Sequence, residues 1–275
     1  MKRASKRTGT KSCGDIEDLA KLPSWQPPKW YATLENIQRM RVRRNAPVDT
    51  MGCDQLADER ADPKTFRLQT LLSLMISSQT KDGATAGAIE RLKEHNVAHL
   101  AALRKLPEQK LAQLLYPVSF YKTKAKNIKK VCEILASDFD GDIPHNLKDL
   151  LSLPGVGPKM AHLAMQCAWH EVTGIGVDTH VHRIANRIRW VQKPTKTPEE
   201  TRIALESWLP RDLWGDVNHL LVGFGQQICL PVNPRCFACI NSPICPSARK
   251  SPQAPDADSV ESGPRKVARR SAAKK

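Results

Sequence analysis

The chain has 275 residues, and its 43 lysines and arginines exceed its 28 aspartates and glutamates, which gives a formal net charge of +15 at pH 7. This length allows one large or two small domains with a hydrophobic core, and the sequence contains no apolar run of the roughly 18 residues that a membrane-spanning helix needs. It also lacks the apolar core of a secretory signal near its first residue, so we expect a protein that is neither membrane-bound nor secreted.

The positive charge is spread over both ends of the chain and over its centre. Lysines and arginines that neutralise phosphates release condensed counterions, so a nucleic acid is a natural partner of such a chain. A charged surface that serves only solubility explains the same total equally well. Charge alone therefore leaves both interpretations open.

The two ends of the chain, residues 1–30 and 248–275, are polar and basic and show no apolar periodicity. This composition predicts disordered tails. The segments MKRASKRTGTKS and KVARR are compatible with a mitochondrial presequence and a nuclear signal. We therefore expect the protein in the nucleus and the mitochondrion.

Between the tails, apolar residues recur at helical spacing and no segment alternates as a strand does. Asp62-Pro63 predicts the start of a helix, because Asp caps free N–H groups and Pro has none to leave unpaired. Asp82, Asp178 and Thr197 occupy similar capping positions at the start of later apolar stripes. The sequence therefore predicts an all-α protein with short connections.

A glycine hairpin is the most informative segment. Gly155-Val156-Gly157 connects a helix that ends near Leu153 to one that begins at Pro158, and the glycines permit a tight turn. Backbone N–H groups at the start of a helix bind anions, which on a basic protein indicates a nucleic-acid phosphate. An ordinary helix-loop-helix connection is the alternative interpretation.

Two ionisable residues follow the hairpin. Lys159 lies in the first turn of the second helix, where the helix dipole and partial burial favour the neutral, nucleophilic amine; simple phosphate contact is the alternative. Asp178, in the motif VDTH, lies where an N-cap belongs and could also face Lys159. Such a pair could attack the anomeric carbon of a sugar while the carboxylate stabilises positive charge.

Four of the eight cysteines crowd into one proline-rich loop with the spacing C-x6-C-x2-C-x5-C. In a chain that is not secreted, this crowding favours metal ligation over disulfides. Four thiolates satisfy one tetrahedral zinc or one [4Fe-4S] cluster, and the wide outer spacing favours the cluster. Arg235 lies within this loop, where it could reach a phosphate. The four candidate ligands are Cys229, Cys236, Cys239 and Cys245.

In order and spacing, LPGVGPK, VDTH and the cysteine array resemble the endonuclease III family of base-excision DNA glycosylases over about residues 31–247. The segments MAHLAMQCAW, VDTHVHRIANRIRW and LLVGFGQQICLP are especially similar to its animal members. The resemblance implies two helical lobes with DNA in the cleft between them. Residues 61–172 would form a six-helix barrel that ends in the helix-hairpin-helix, and residues 31–60 and 173–247 would form the iron-sulfur cluster lobe.

The resemblance also implies a chemistry. Lys159 corresponds to the amine that attacks C1′ of an oxidised, flipped-out pyrimidine nucleoside and forms a Schiff base, after which β-elimination nicks the strand. Asp178 corresponds to the catalytic carboxylate. The phosphate-binding hairpin would be Gly155, Val156 and Gly157, and the four crowded cysteines would hold a [4Fe-4S] cluster.

Three further residues are implied to contact DNA. Gln79 lies where the family inserts a side chain, as a wedge, into the vacated base stack. Phe120 and Tyr121 lie where the family places a second, apolar wedge. A polar helix end explains Gln79 without DNA, and core packing explains Phe120 equally well. A bacterial relative carries Leu in place of Phe120.

Two other functions share part of this pattern. Mismatch-specific adenine glycosylases have a similar hairpin, aspartate and cluster, but they lack the lysine and carry a C-terminal domain for which the residues after Pro246 are too few. A non-catalytic DNA-binding module with a zinc loop would not need Lys159 and Asp178 together. The sequence therefore favours a monomeric glycosylase and AP lyase that acts on double-stranded DNA containing oxidised pyrimidines or abasic sites.

Overall fold

A computed structural model describes residues 25–248, and in this range the chain forms helices and no β-strand, which confirms the all-α prediction. None of the helices in this range is both long enough and apolar enough to cross a membrane. Two short 3-10 helices lie at Arg211–Leu213 and Cys236–Ala238. The α-helices are α1 (Trp30–Met40), α2 (Pro47–Met51), α3 (Pro63–Ser77), α4 (Asp82–Glu94), α5 (Leu100–Lys105), α6 (Glu108–Leu115), α7 (Tyr121–Asp138), α8 (Leu147–Ser152), α9 (Pro158–Trp169), α10 (Thr179–Arg187), α11 (Pro198–Glu206) and α12 (Trp214–Gln227).

Two hydrophobic clusters fill the described part of the molecule. The first draws its buried residues from 68–168, and therefore from helices α3 to α9. The second combines residues 34–48 with residues 175–224, so it joins α1 and α2 to α10, α11 and α12. The chain thus begins in the second cluster, builds the first, and returns to the second after α9.

Local capping signals fix several of the helix starts. The Asp62 carboxylate accepts hydrogen bonds from the backbone N–H groups of Lys64 and Thr65, both at 3.1 Å, at the start of α3. Thr197 Oγ1 accepts from the N–H of Glu200 at 3.2 Å at the start of α11. Both helices begin where the sequence predicts, because each cap satisfies N–H groups that the helix itself leaves unpaired.

The prediction that Asp82 caps α4 is wrong. Lys81 occupies the cap position without a side-chain hydrogen bond, and Asp82 is the first helical residue. Its carboxylate instead accepts from Gln226 Nε2 at 2.7 Å, while Gln226 Oε1 accepts from the N–H of Val48 at 3.0 Å. One amide of α12 therefore joins α2 and α4, and so joins the two hydrophobic clusters.

A buried ionic network holds α1, α2 and α12 together. Arg41 is fully buried and donates to both carboxylate oxygens of Asp49, at 2.7 and 2.6 Å. The Nε2 of His219 lies 2.8 Å from the same carboxylate. Burial alone would raise the pKa of Asp49, but the hydrogen bonds from Arg41 and His219 lower it to about 2. The carboxylate is therefore charged and paired on two sides.

Residues placed within the predicted N-terminal tail contribute to the second cluster. Trp25 packs edge-on against Trp208 with ring centroids 6.3 Å apart, and Trp30 packs against Trp208 at 5.4 Å. The packed part of the chain therefore begins before residue 31. The basic segments that we associate with targeting lie outside the described residues, as do all other residues of 1–24 and 249–275.

Candidate active site and nucleic-acid interface

The glycine hairpin connects α8 to α9 and leaves the start of α9 uncapped. Val156 is buried, and its N–H donates to the carbonyl of Leu153 at 3.1 Å, which anchors the turn from inside. Gly157 precedes α9, and within the described residues no side chain caps that helix start. The unpaired N–H groups of the first turn thus remain available for an anion.

The two glycines of the hairpin differ in what an added methyl group would meet. Gly155 has φ +84°, and a Cβ there would lie 2.7 Å from Asn127 Nδ2 of α7. Gly157 has φ −110°, and a Cβ there would meet no atom within 4 Å. The hairpin therefore requires glycine for its conformation only at position 155.

We expect Gly155→Ala to lower the free energy of unfolding by about 1–2 kcal/mol, because alanine is strained in the left-handed region. Gly157→Ala is the matched control and should change the stability by less than about 0.5 kcal/mol. Urea denaturation of both variants measures the difference. Equal destabilisation by the two substitutions would contradict the hairpin geometry.

Lys159 and Asp178 both influence the pKa of the His180 imidazole. Lys159 is the half-buried second residue of α9, and Asp178 directly precedes α10. Burial lowers the pKa of His180; the charge of Asp178 opposes this shift, and the positive charges of Arg183 and Lys159 add to it. The lowered pKa favours the neutral form of the His180 imidazole.

His180 is a residue of this site for which the sequence predicts a surface or hydrogen-bonding role rather than that of a general acid. Its Nδ1 lies 3.1 Å from Nη2 of Arg183, so Nδ1 is the acceptor and the proton of the neutral ring is assigned to Nε2. The same Nη2 donates to the carbonyl of Cys229 at 3.0 Å. Arg183 thus connects the surroundings of Asp178 to the cysteine loop. The motif VDTH carries His180, but nothing in the motif indicates this link.

Asp178 caps α10, as its position in the sequence predicts. One oxygen of its carboxylate accepts from the N–H of Val181 at 2.8 Å. This bond fixes the side chain at the start of the helix and uses only one of the two oxygens. The carboxylate is therefore held in place by its capping bond and keeps an oxygen available for a second partner.

Gln79 and Phe120 share an unusual backbone conformation. Gln79 is exposed in the loop between α3 and α4, and Phe120 is 65% exposed directly before α7. Both have positive φ, +52° for Gln79 and +56° for Phe120. Seven other non-glycine residues of the described range also have positive φ, so this conformation alone does not mark a functional site. The exposure of Phe120 also shows that core packing is not the reason for a large apolar residue there.

Tyr116 is an exposed aromatic residue that the sequence analysis missed. It is 63% exposed and packs edge-on against the half-buried Tyr121, with ring centroids 5.6 Å apart. Arg91 of α4 donates to the carbonyl of Tyr116 at 2.6 Å and so holds the loop before α7. Exposed rings at Tyr116 and Phe120 therefore flank this loop. The local sequence does not separate such rings from core aromatics.

The four crowded cysteines line one cavity of about 220 Å³ at the end of α12. Within residues 25–248, however, no group of three or more His, Cys, Asp or Glu side chains is arranged to hold a single metal ion. The shared cavity is where the four cysteines could hold an inorganic group.

Arginines supply positive charge around this cavity. Nη1 of Arg187 lies 3.5 Å from Cys229 Sγ and donates to the carbonyl of Leu230 at 2.6 Å, while Nη2 donates to the carbonyl of Pro231 at 2.7 Å. Arg235 is exposed and also lines the cavity. Arg187 thus braces the loop from α10, and Arg235 is placed at the cysteine cavity.

Comparison with known proteins decides the family. The profile of the HhH-GPD superfamily base excision DNA repair proteins matches residues 72–211. Endonuclease III-like protein 1 of Bos taurus is 54% identical over 86% of this chain and 77% of its own length, and that of Gallus gallus is 54% identical over 83% and 81%. The chain belongs to the endonuclease III family. It is a DNA glycosylase of base excision repair.

Solved structures agree with this assignment. A trapped endonuclease III-DNA covalent intermediate and a non-covalent endonuclease III-DNA complex each align with this glycosylase at a TM-score of 0.68 and 25% identity, over 79% of this chain and 94% of theirs. A thermostable thymine-DNA glycosylase, at a TM-score of 0.61 and 21% identity, shares the fold. The helical architecture described above is therefore that of the endonuclease III family.

Proposed function

We propose that this glycosylase removes oxidised pyrimidines from double-stranded DNA and then cleaves the resulting abasic site, acting as a monomer. The observation that carries the proposal is the placement of Lys159 in the first turn after the hairpin, together with the Asp178 carboxylate that is fixed at the start of α10. The solved covalent complex between an endonuclease III and DNA supports a covalent step in this family.

The proposed reaction begins when neutral Nζ of Lys159 attacks C1′ of the damaged nucleoside. The C1′–N bond breaks, and the base leaves with the bonding electrons and takes up a proton from water. The C1′–O4′ bond then opens as an amine proton passes to O4′, which leaves a Schiff base. Loss of a C2′ proton expels the 3′ phosphate oxygen by β-elimination, and water releases Lys159. Asp178 stabilises the positive charge that develops on the sugar.

The remaining site residues would hold the DNA open. The N–H groups around Gly155, Val156 and Gly157 bind a backbone phosphate. Gln79 and Phe120, with Tyr121 behind Phe120, enter the space that the flipped nucleotide leaves, and their exposure and fixed backbone support this role. Arg235 contacts a phosphate beside the cysteine loop.

A duplex that carries one oxidised pyrimidine, such as thymine glycol, tests this function. We expect base release, a nick at that position, and a protein-DNA crosslink when borohydride is present. The same duplex without the lesion is the control, and a duplex with adenine opposite guanine tests the adenine glycosylase alternative. Base release without a crosslink would overturn the lyase step, and release of adenine alone would overturn the substrate class.

We also propose that the four crowded cysteines hold a [4Fe-4S] cluster. When bound, the cluster crosslinks the loop to the end of α12, and the shared cavity and the arginine beside Cys229 support its fit. Purified protein should contain about four iron atoms per chain and absorb visible light. Cys236→Ser should lose both signals, whereas Cys132→Ser, in the first hydrophobic cluster, should keep them. One zinc per chain without visible absorption would contradict the cluster.

We propose that the enzyme works in the nucleus and the mitochondrion. The basic segments at the two ends of the chain are the support for this proposal.

A further inference from the structure

Lys124 is a buried lysine on α7 whose amine lies against the loop that carries Gln79. Its side chain is only 8% exposed. Nζ donates to the carbonyls of Ile76 and Ser78, both at 2.6 Å, and to Thr80 Oγ1 at 2.9 Å. Three donors of one ammonium group thus meet three acceptors, two of which belong to the residues on either side of Gln79.

The contacts of Lys124 stabilise the Gln79 loop in two ways. The last carbonyls of α3 have no partner within the helix, and an ammonium group both satisfies them and matches the negative end of the helix dipole. The left-handed conformation of Gln79 persists only where its surroundings fix it. The amine binds the backbone carbonyl of Ser78 and the side-chain hydroxyl of Thr80 at once, and so holds the residues on both sides of Gln79.

Lys124 also connects this loop to the second wedge. Phe120 precedes α7, and the N–H of Lys124 donates to the carbonyl of Phe120 at 3.0 Å in the first helical turn. One turn later, Asn127 lies beside the hairpin, since a Cβ on Gly155 would lie 2.7 Å from Asn127 Nδ2. Residues spaced by three or four share a helix face. One face of α7 therefore contacts the Gln79 loop and the hairpin and carries Phe120 at its start.

We propose that Lys124 is a positioning residue that locks the Gln79 loop to the helix that presents Phe120, so that both wedges enter DNA as one preformed unit. This inference rests on the wedge roles given under the proposed function. A preformed unit does not spend binding energy on ordering the loop when DNA arrives. Without the ammonium group, the loop should lose its fixed conformation while the rest of α7 stays folded.

The chain offers a matched control on the same helix. Nζ of Lys129 donates to the carbonyls of Leu103 and Arg104, at 2.7 and 2.5 Å, at the end of α5. Lys129 thus satisfies carbonyls at the end of α5, as Lys124 does at the end of α3, but its amine bonds to α5 and not to the Gln79 loop. Lys124→Met and Lys129→Met remove the same charge and the same kind of contact at two different helix ends.

The experiment measures how the full-length protein opens DNA around a missing base. The probe is a duplex with a tetrahydrofuran abasic analogue next to 2-aminopurine, whose fluorescence rises when its stacking is lost. We expect Lys124→Met to reduce this rise and to weaken the preference for the analogue over intact duplex about tenfold. Lys129→Met should leave both unchanged, and Lys124→Arg should recover most of the fluorescence rise.

Double-mutant cycles separate positioning from general stability. If Lys124 acts through the loop, Lys124→Met should cost little further preference in a Gln79→Ala background. Should Lys124→Met fail to fold, Thr80→Val removes one of the three acceptors and should weaken the preference about twofold to threefold. Equal effects of the Lys124 and Lys129 variants, or additive losses with Gln79→Ala, overturn the proposal. No loss in Gln79→Ala or Phe120→Ala overturns the wedge roles instead.

Discussion

Replacement of Lys159 by Gln is expected to abolish crosslinking to damaged DNA by borohydride and to slow strand cleavage by more than about 1,000-fold. The amide keeps nearly the size and polarity of the side chain, but it has no nucleophilic nitrogen for attack on C1′. The hairpin, the wedges and the fold do not depend on this amine. DNA binding by Lys159→Gln should therefore remain close to that of the wild type.

The control for this variant is Lys148→Gln, which removes the same charge from an exposed position on α8, the other helix of the hairpin. Its crosslinking and cleavage should match those of the wild type at low salt. Gel quantification of borohydride crosslinks for the three proteins makes the comparison. Equal crosslinking by Lys159→Gln and the wild type would refute the nucleophile assignment.

Asp178→Asn is expected to slow base release about 100-fold while leaving the stability of the protein nearly unchanged. Asparagine caps helices as well as aspartate does, so the bond to the N–H of Val181 should survive. Only the negative charge is lost, and with it the stabilisation of positive charge on the sugar. Base release under single-turnover conditions and urea denaturation together measure the two effects.

A remote cap provides the comparison for Asp178. Thr197→Ala removes the cap of α11 and should cost about 1 kcal/mol of stability with no change in base release. Asp178→Asn should keep its stability and slow base release, whereas Asp178→Ala should lower the stability and also slow base release. Full activity in Asp178→Asn would reduce Asp178 to a structural cap.

Features that depend on local chemistry could be predicted from the sequence. Asp62 and Thr197 begin their helices where predicted, because a cap acts within a few residues of itself. The same reasoning fails for Asp82, because its carboxylate accepts a hydrogen bond from Gln226, which lies far along the chain. The local sequence pattern does not indicate such a long-range hydrogen bond.

The residues of the candidate site could be predicted where they belong to sequence motifs, but not where only tertiary packing determines their role. The hairpin glycines, Lys159 and Asp178 stand in recognisable motifs. Lys124 instead belongs to a lysine-rich stretch that is typical of a solvated helix face, and only the fold places its amine against the end of α3. The strained backbone of Gln79 and the exposure of Tyr116 are likewise results of tertiary structure.

The comparisons with known proteins exclude one of the alternative functions. A non-catalytic module with a zinc loop does not agree with 54% identity to endonuclease III-like proteins across most of the chain.

Mass spectrometry of the borohydride-reduced adduct is the most direct test of the proposed chemistry. After nuclease and protease digestion, the sugar remnant should be found on the peptide that contains Lys159, attached to Nζ as a secondary amine. The remnant on any other side chain, or on a terminal amine, would contradict the mechanism.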